Sequence, residues 1–253
     1  MIADNTKRFS DRVDNYVKYR PGYPDEVIAY LQKEGNLSDD AVIADIGSGT
    51  GIFTNLILNK GYKVYAVEPN EAMQQAAKQQ LGSNENFTPV DGTAEATTLN
   101  ANSIDLIVCA QAFHWFNDGR TRVEFKRILK DGGHAALIWN NRRADTGEFS
   151  IAYENLLKQD GIDYNKVNHR NINEIDFKAF FANGEYEVVK YTNEQVFDEA
   201  GLMGRAFSSS YVPVEGTESG EKFRGLLKDL FHHYNKKGKV SFHYQTEIYF
   251  GEV

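Results

Sequence analysis

The chain of 253 residues is 41% hydrophobic, 13% aromatic and 25% charged, which excludes wholesale disorder and suits one large domain or a domain with a cap. Its 28 Lys+Arg against 36 Asp+Glu give a net charge of -8, which repels polyphosphate and anionic lipid and argues against nucleic acid and membrane surfaces as partners. Cys109, the single cysteine, lies in the apolar run IDLIVCA, which suits a buried strand in a reducing, cytoplasmic setting.

In chain order, the first predicted element is a helix with Phe9, Val13, Tyr16 and Arg20 near one face, stopped by RPGYP, where Pro21 cannot continue it and Pro24 fixes the turn. Residues 1–24 are expected to form a helical lid. They lack the apolar h-region of a signal peptide, and no stretch nears the roughly 20 apolar residues of a membrane span. A chain neither secreted nor inserted is the expectation.

Short apolar runs follow at residues 41–46, 63–67, 104–110 and 135–139, with a weaker one at 87–90, each leading into turn residues or a helical pattern. Strands alternating with helices imply a parallel sheet, and runs such as IDLIVCA and AALIW are apolar on both faces, as strands covered on both sides should be. Asn70 is placed to cap EAMQQAAKQQL, Gly82 to end it, and the DGG at 131–133 to end TRVEFKRILK. The expectation for 25–141 is a doubly wound, Rossmann-like α/β core.

From Asn141 the pattern changes. Residues 148–181 read as helices, EYEVVKYTNEQVF as a strand, 199–209 and 221–235 as helices, and VSFHYQTEIYF as an alternating last strand. Residues 142–253 are therefore expected to add a helical cap and a terminal antiparallel hairpin, completing a seven-stranded, mostly parallel sheet within one overall domain. The basic stretch 222–239 alternates with apolar residues at helical spacing and reads as a solvated helix face.

The most informative segment is AVIADIGSGTG, residues 41–51, a strand running through a glycine-rich turn into a helix. A dinucleotide fingerprint needs a glycine three residues after Gly49, where Ile52 stands, and no GK[ST] follows to make a P-loop. Asp45, two residues before Gly47, would oppose a pyrophosphate but suits a ligand carrying an ammonium or sulfonium charge. Glu68 ends KVYAVE 23 residues after Asp45, near the spacing at which an acid bonds both ribose hydroxyls; its alternative is a simple cap.

Together DIGSGTG and VEPN resemble the S-adenosyl-L-methionine site of class I methyltransferases. That resemblance implies that Gly47, Ser48 and Gly49 approach the methionine and adenosine, Asp45 lies near the amino group, Glu68 holds the ribose, and Pro69 and Asn70 flank the adenine. It also places Thr93, Ala94 and Glu95 of DGTAEATTL at the adenine edge, with Thr93 where the family more often has Asp. In CAQAFHWF it puts Gln111 near the cofactor and turns His114 and Trp115 to the substrate; the alternative is that both pack on the next helix.

A narrower resemblance rests on FSDRVDNYVKYRPGYP, AQAFHWF, LIWNNRR and GRAFSSSYVP, which occur in this order in a subgroup similar to trans-aconitate-type and other small-molecule methyltransferases. It implies that Tyr16, Tyr19 and Arg20 close over the methionine, with Arg20 on its carboxylate. Asn140, Arg142 and Arg143 follow the fifth strand at the carboxyl edge, where open α/β sheets bind ligands, and Arg205 and Tyr211 come from the cap. A substrate pocket of Trp115, Asn140, Arg143, Arg205 and Tyr211 would suit a small organic acid, although each arginine alone could be a surface cation.

Three readings remain at this point. The leading one is an S-adenosylmethionine-dependent methyltransferase, monomeric or homodimeric, acting on a small molecule; His114 would be the base if the acceptor is a hydroxyl or phenol, whereas a carboxylate needs none. A methyltransferase acting on RNA or protein is disfavoured by the acidic balance. A non-catalytic nucleotide module or a nicotinamide oxidoreductase is opposed by Ile52 and Asp45. No metal is expected, since the His residues are scattered and His232 and His233 are adjacent rather than spaced for chelation.

Overall fold

A computed structural model of the chain describes residues 17–116, 118–162, 164 and 172–253. The expectations that fall on Phe9, Val13 and Tyr16 lie outside the described residues. The elements run α1 (Asp25–Glu34), β1 (Val42–Ile46), α2 (Ile52–Leu58), β2 (Lys63–Val67), α3 (Glu71–Leu81), β3 (Phe87–Val90), β4 (Ile104–Ala110), α4 (Gly119–Ile128) and β5 (Leu129–Arg142). After them come α5 (Glu148–Asp160), α6 (Glu174–Phe180), β6 (Glu187–Phe197), α7 (Glu199–Phe207), α8 (Glu218–Tyr234) and β7 (Val240–Gly251).

The seven strands form one sheet in the order β3-β2-β1-β4-β5-β7-β6, parallel except for β7, which runs antiparallel to both neighbours. Pro89 is tolerated in β3 because that strand is an edge and pairs only with β2. The strand order reverses between β1 and β4, so the loops after those strands diverge and open a crevice at their carboxyl ends.

The double-sided apolar runs are buried on both faces, as alternation requires. Ile43, Val64, Leu106, Val108, Ala136 and Ile138 face α1, α2 and α3. Ala44, Ile46, Ile107, Cys109, Leu137 and Trp139 face α4 and α6. Asn70 caps α3 as expected, its side chain accepting from the Met73 N–H at 3.0 Å.

The sequence reading differs from the structure at β5. The helix α4 ends at Ile128 and the chain enters the strand at Leu129, ahead of the DGG read as the helix stop, because Leu129 is buried and pairs with Ile104. The stretch read as helical over 148–181 contains α5 and α6 with Gly161 closing the first. At its other end β5 runs on to Arg142, past the last pair with β4 at Ala110 and Ile138, because β7 continues to pair with it through Arg142 and Tyr244. Against this extension, α5, α7 and α8 bury a third cluster that includes Leu157, Leu202, Phe223, Leu227, Phe242 and Tyr244. This is the cap.

Residues 17–22 form a strap across the junction of sheet and cap. Residues 17–19 are helical; the Tyr19 carbonyl accepts from Gln195 Nε2 at 3.2 Å, Arg20 Nη2 donates to the Ser208 carbonyl at 3.0 Å, and the Gly22 carbonyl accepts from Asn140 and Asn193. The Tyr19 ring lies directly on the backbone of α7 at Gly204, where a Cβ would come within 2.0 Å of it. Gly204→Ala should therefore unseat the strap while leaving the fold as stable as before, since alanine adds helix propensity of about 1 kcal/mol. Limited proteolysis should cut near residues 17–22 at an unchanged melting temperature, and equal protection in both proteins would refute this.

Candidate active site

The turn from β1 to α2 carries the glycine loop. Gly47 has φ +71° and lies so close to the β4 end that a Cβ there would be 2.6 Å from the Ala112 Cβ, so no larger residue fits. Asp45, one residue before Ile46 at the strand's end, is 1% exposed. Its Oδ2 accepts from Thr54 Oγ1 at 2.6 Å, while its Oδ1 has no hydrogen-bond partner among the described residues. Burial, opposed by the Thr54 hydrogen bond and aided by the Glu68 charge, pushes its carboxyl up to about 7.

Glu68 follows β2 and reaches across the loop. Its Oε2 accepts from the Gly49 N–H at 2.9 Å and its Oε1 from the Asn70 N–H at 2.8 Å. Burial raises its pKa and the two N–H donors oppose that rise. The carboxylate thus ties the glycine loop to the segment after β2, the capping role read from the sequence.

Two clefts, with envelopes of about 1220 and 950 Å³ when the open solvent at their mouths is included, meet along Gly47, Gly49, Ala110, Gln111 and Trp115. Gln111, at the end of β4, has φ +61°, a strained conformation held by its N–H donating to the Ile138 carbonyl at 2.8 Å. The smaller cavity is lined by Glu68, Pro69, Asn70, Thr93, Ala94 and Glu95, with Met73 and Phe116, which sequence reasoning missed. Among the described residues its lining has two carboxylates and no Lys or Arg. Such a wall repels a pyrophosphate and accepts hydroxyls.

The larger cavity continues from Asp45 and Ser48 past His114 and Trp115, which form a 3-10 turn (Phe113–Trp115), to Asn140, Arg142, Arg205 and Tyr211. It is rimmed by Arg20 of the strap. Here the reading needs two corrections. Arg143 points away from the cavity, half-exposed and paired with Asp145 at 2.9 Å; its neighbour Arg142 is the residue that lines it, because alternation along β5 puts Asn140 and Arg142 on one face. Tyr19 is the second correction. Its ring is engaged on Gly204, and Arg20, Pro21 and Tyr23 line the cavity instead.

The cationic end is built inside the protein. Arg142 is paired with Glu154 at 2.5 Å, and Tyr164, unforeseen from the sequence, donates to the same carboxylate at 2.8 Å. Arg205 is 5% exposed, with Nε donating to Tyr244 Oη at 3.2 Å and Nη1 to Ser209 Oγ at 3.0 Å. It forms no ion pair with a carboxylate among the described residues. A buried guanidinium held only by neutral hydroxyls leaves a charge that an anionic ligand could neutralise.

Comparison with known proteins bears on the fold that carries these residues. Residues 44–137 match the family model of a methyltransferase domain. An uncharacterized methyltransferase of Mycobacterium tuberculosis is 34% identical over 139 residues, which are 55% of this chain and 54% of that protein, so the chain aligns with about half the length of the curated relatives it matches. Among solved structures, a candidate type II methyltransferase of Anaeromyxobacter dehalogenans has a TM-score of 0.68 at 20% identity, covering 92% of this chain and 98% of that one. A phosphoethanolamine N-methyltransferase of Haemonchus contortus in complex with S-adenosyl-L-methionine has a TM-score of 0.55 at 16% identity, covering 98% of this chain and 58% of that one.

Asp45 gives a testable signature. It ionises near pH 7 in the folded chain but near 3.9 when unfolded. The extra proton stabilises the fold fully below pH 4, and that stability is lost as pH rises through 7. Asp45→Asn should therefore raise the melting temperature at pH 8, by on the order of 2–4 kcal/mol of stability, and change it little at pH 4. The same variant should bind S-adenosylhomocysteine at least about tenfold more weakly, the loss of one charged hydrogen bond. Calorimetry reads both, and a destabilised variant at pH 8 would make Asp45 a structural group only.

Proposed function

We propose that this chain, whose core belongs to the class I methyltransferases, is an S-adenosylmethionine-dependent enzyme that methylates a small organic acid. The observation that carries this reading is the polarity of the paired cavities. Among the described residues, one end holds Glu68 and Glu95 with no Lys or Arg in its lining, the middle holds Asp45, and the other end gathers Arg20, Arg142 and Arg205, the last held by hydroxyls rather than by a carboxylate.

The residues present fit the cofactor. Asp45 offers an unpartnered buried oxygen to an ammonium, Glu68 offers its lone pairs to ribose hydroxyls, and Gly47 keeps the backbone low where the ligand must pass. When bound, S-adenosylmethionine supplies a methyl group activated by its sulfonium. Pro69, Asn70 and the 93–95 segment form the walls of an adenine slot, and Gln111, shared by both cavities, separates it from the acceptor.

The acceptor end works by position. Arg205 and Arg142 hold an anionic group in a fork geometry that lysine cannot reproduce, and His114, Trp115 and Tyr211 shape the space beside it. Alignment of acceptor and donor in such a site supplies on the order of 7–11 kcal/mol of the barrier. An anionic acceptor also gains from burial here, because the Arg205 guanidinium is held by hydroxyls and by no carboxylate among the described residues.

Titration calorimetry with S-adenosylhomocysteine and with NAD should show binding of the first only. In a screen of small acids, phenols, amines and RNA with labelled S-adenosylmethionine, methylation is expected among the acids. Arg205→Gln should lower turnover at least about 10²-fold, the cost of one buried charge-assisted contact, while Arg143→Ala should retain it. Methylation of RNA or amines alone would overturn the substrate class.

A further inference from the structure

Tyr211 lies in the larger cavity on the segment joining α7 to α8. Its backbone is fixed by the Ile162 N–H, which donates to its carbonyl at 2.7 Å, and its ring meets Tyr164 edge-on at 4.9 Å between centroids. Its phenol is hydrogen-bonded to Ser209, and Ser209 Oγ in turn accepts from Arg205 Nη1 at 3.0 Å. Arg20 from the strap and Arg142 from β5 add two more positive charges that act on it.

The groups facing Tyr211 differ in what they do. Tyr153 is buried and Tyr164 half-buried, and their phenols are held above the ordinary range, Tyr153 by burial and Tyr164 by burial and its bond to Glu154. Glu154 itself is engaged by Arg142. Burial acts on Tyr211 in the same direction, yet Arg205, Arg20 and Arg142 together with Ser209 outweigh it and bring this phenol below its usual value. Tyr244 is occupied, accepting from Arg205 and donating to Gln195 at 2.9 Å. Tyr211 is thus tuned toward the phenolate, opposite to Tyr153 and Tyr164.

A carboxylate acceptor would need no such group, since it is already ionised. We propose that Tyr211 is the catalytic base of the reaction and that the accepting oxygen of the acid is a hydroxyl, phenol or enol. This rests on the methyltransferase reading and narrows its substrate. The acceptor's acid group sits on the guanidiniums; its hydroxyl oxygen forms the new bond to the methyl carbon as the sulfur–methyl bond breaks, leaving a neutral thioether. The hydroxyl proton passes to the Tyr211 phenolate oxygen and from there to water. The anion of the substrate also partly cancels the charges that favour phenolate, which makes Tyr211 a stronger base once the acid is bound.

The first test needs no acceptor. Tyrosinate ultraviolet absorbance should show one phenol ionising at lower pH than the rest. Tyr211→Phe should remove that step, and Ser209→Ala should move it upward. The second test uses the acid found by the screen: Tyr211→Phe should lower turnover about 10²–10⁴-fold and abolish the alkaline-rising limb of its pH profile, with S-adenosylhomocysteine affinity unchanged. An early-ionising phenol that persists in Tyr211→Phe, or turnover that survives the substitution, overturns the proposal. So does an acceptor methylated on its carboxylate. Failure of the wild-type chain to bind S-adenosylhomocysteine is a different result and removes the methyltransferase reading itself.

Discussion

The placement of β7 is the constraint on which the rest depends. By entering antiparallel between β5 and β6, it keeps β5 in register as far as Arg142, well beyond the point where β4 stops. That overhang serves two purposes. One face carries Asn140, Arg142 and Tyr244 into the cavity, and the cap helices find on it the apolar surface they need, centred on Phe242 and Leu202. Without the overhang, Arg205 would lose its Tyr244 partner, and the crevice at the β1–β4 switch would be shallower.

Charge is distributed along this crevice against the protein's overall sign. The chain carries a net charge of -8, yet its cap buries Arg142 and Arg205 beside the sheet. Burying a guanidinium costs several kcal/mol unless its donors are satisfied. Arg142 meets a carboxylate, whereas Arg205 is held by hydroxyls of Tyr244 and Ser209. Stability alone would favour an apolar residue at that position. Asp45 repeats the pattern at the other end of the cavity, where a carboxylate lacking one of its partners is kept fully buried.

The core was legible because its signals are local. Strands 63–67, 87–90 and 104–110 fall where apolar runs meet turn residues, and the glycine loop with Asp45 and Glu68 can be read from order and spacing alone. What escaped depends on contacts distant in sequence. The end of β5 is set by β7, about a hundred residues later, so Arg143 was chosen over Arg142 although alternation from Asn140 already favoured the latter. Tyr19 was assigned to the cofactor because its seat on Gly204 is invisible without the cap. Tyr164 and Tyr244 carry no motif; they join the site only through the packing of α5 and β7 against it.

The strap has a further consequence for how the molecule assembles. Its few residues stand at the beginning of the described chain, but the groups that hold them are Asn140, Asn193, Gln195 and the Ser208 carbonyl, the last 188 positions away. Loops of that span cannot close until the far segments have found their places. The strap therefore leaves the ribosome before the segments that hold it and docks only after them, and the crevice stays open to solvent until the carboxyl half is folded over it.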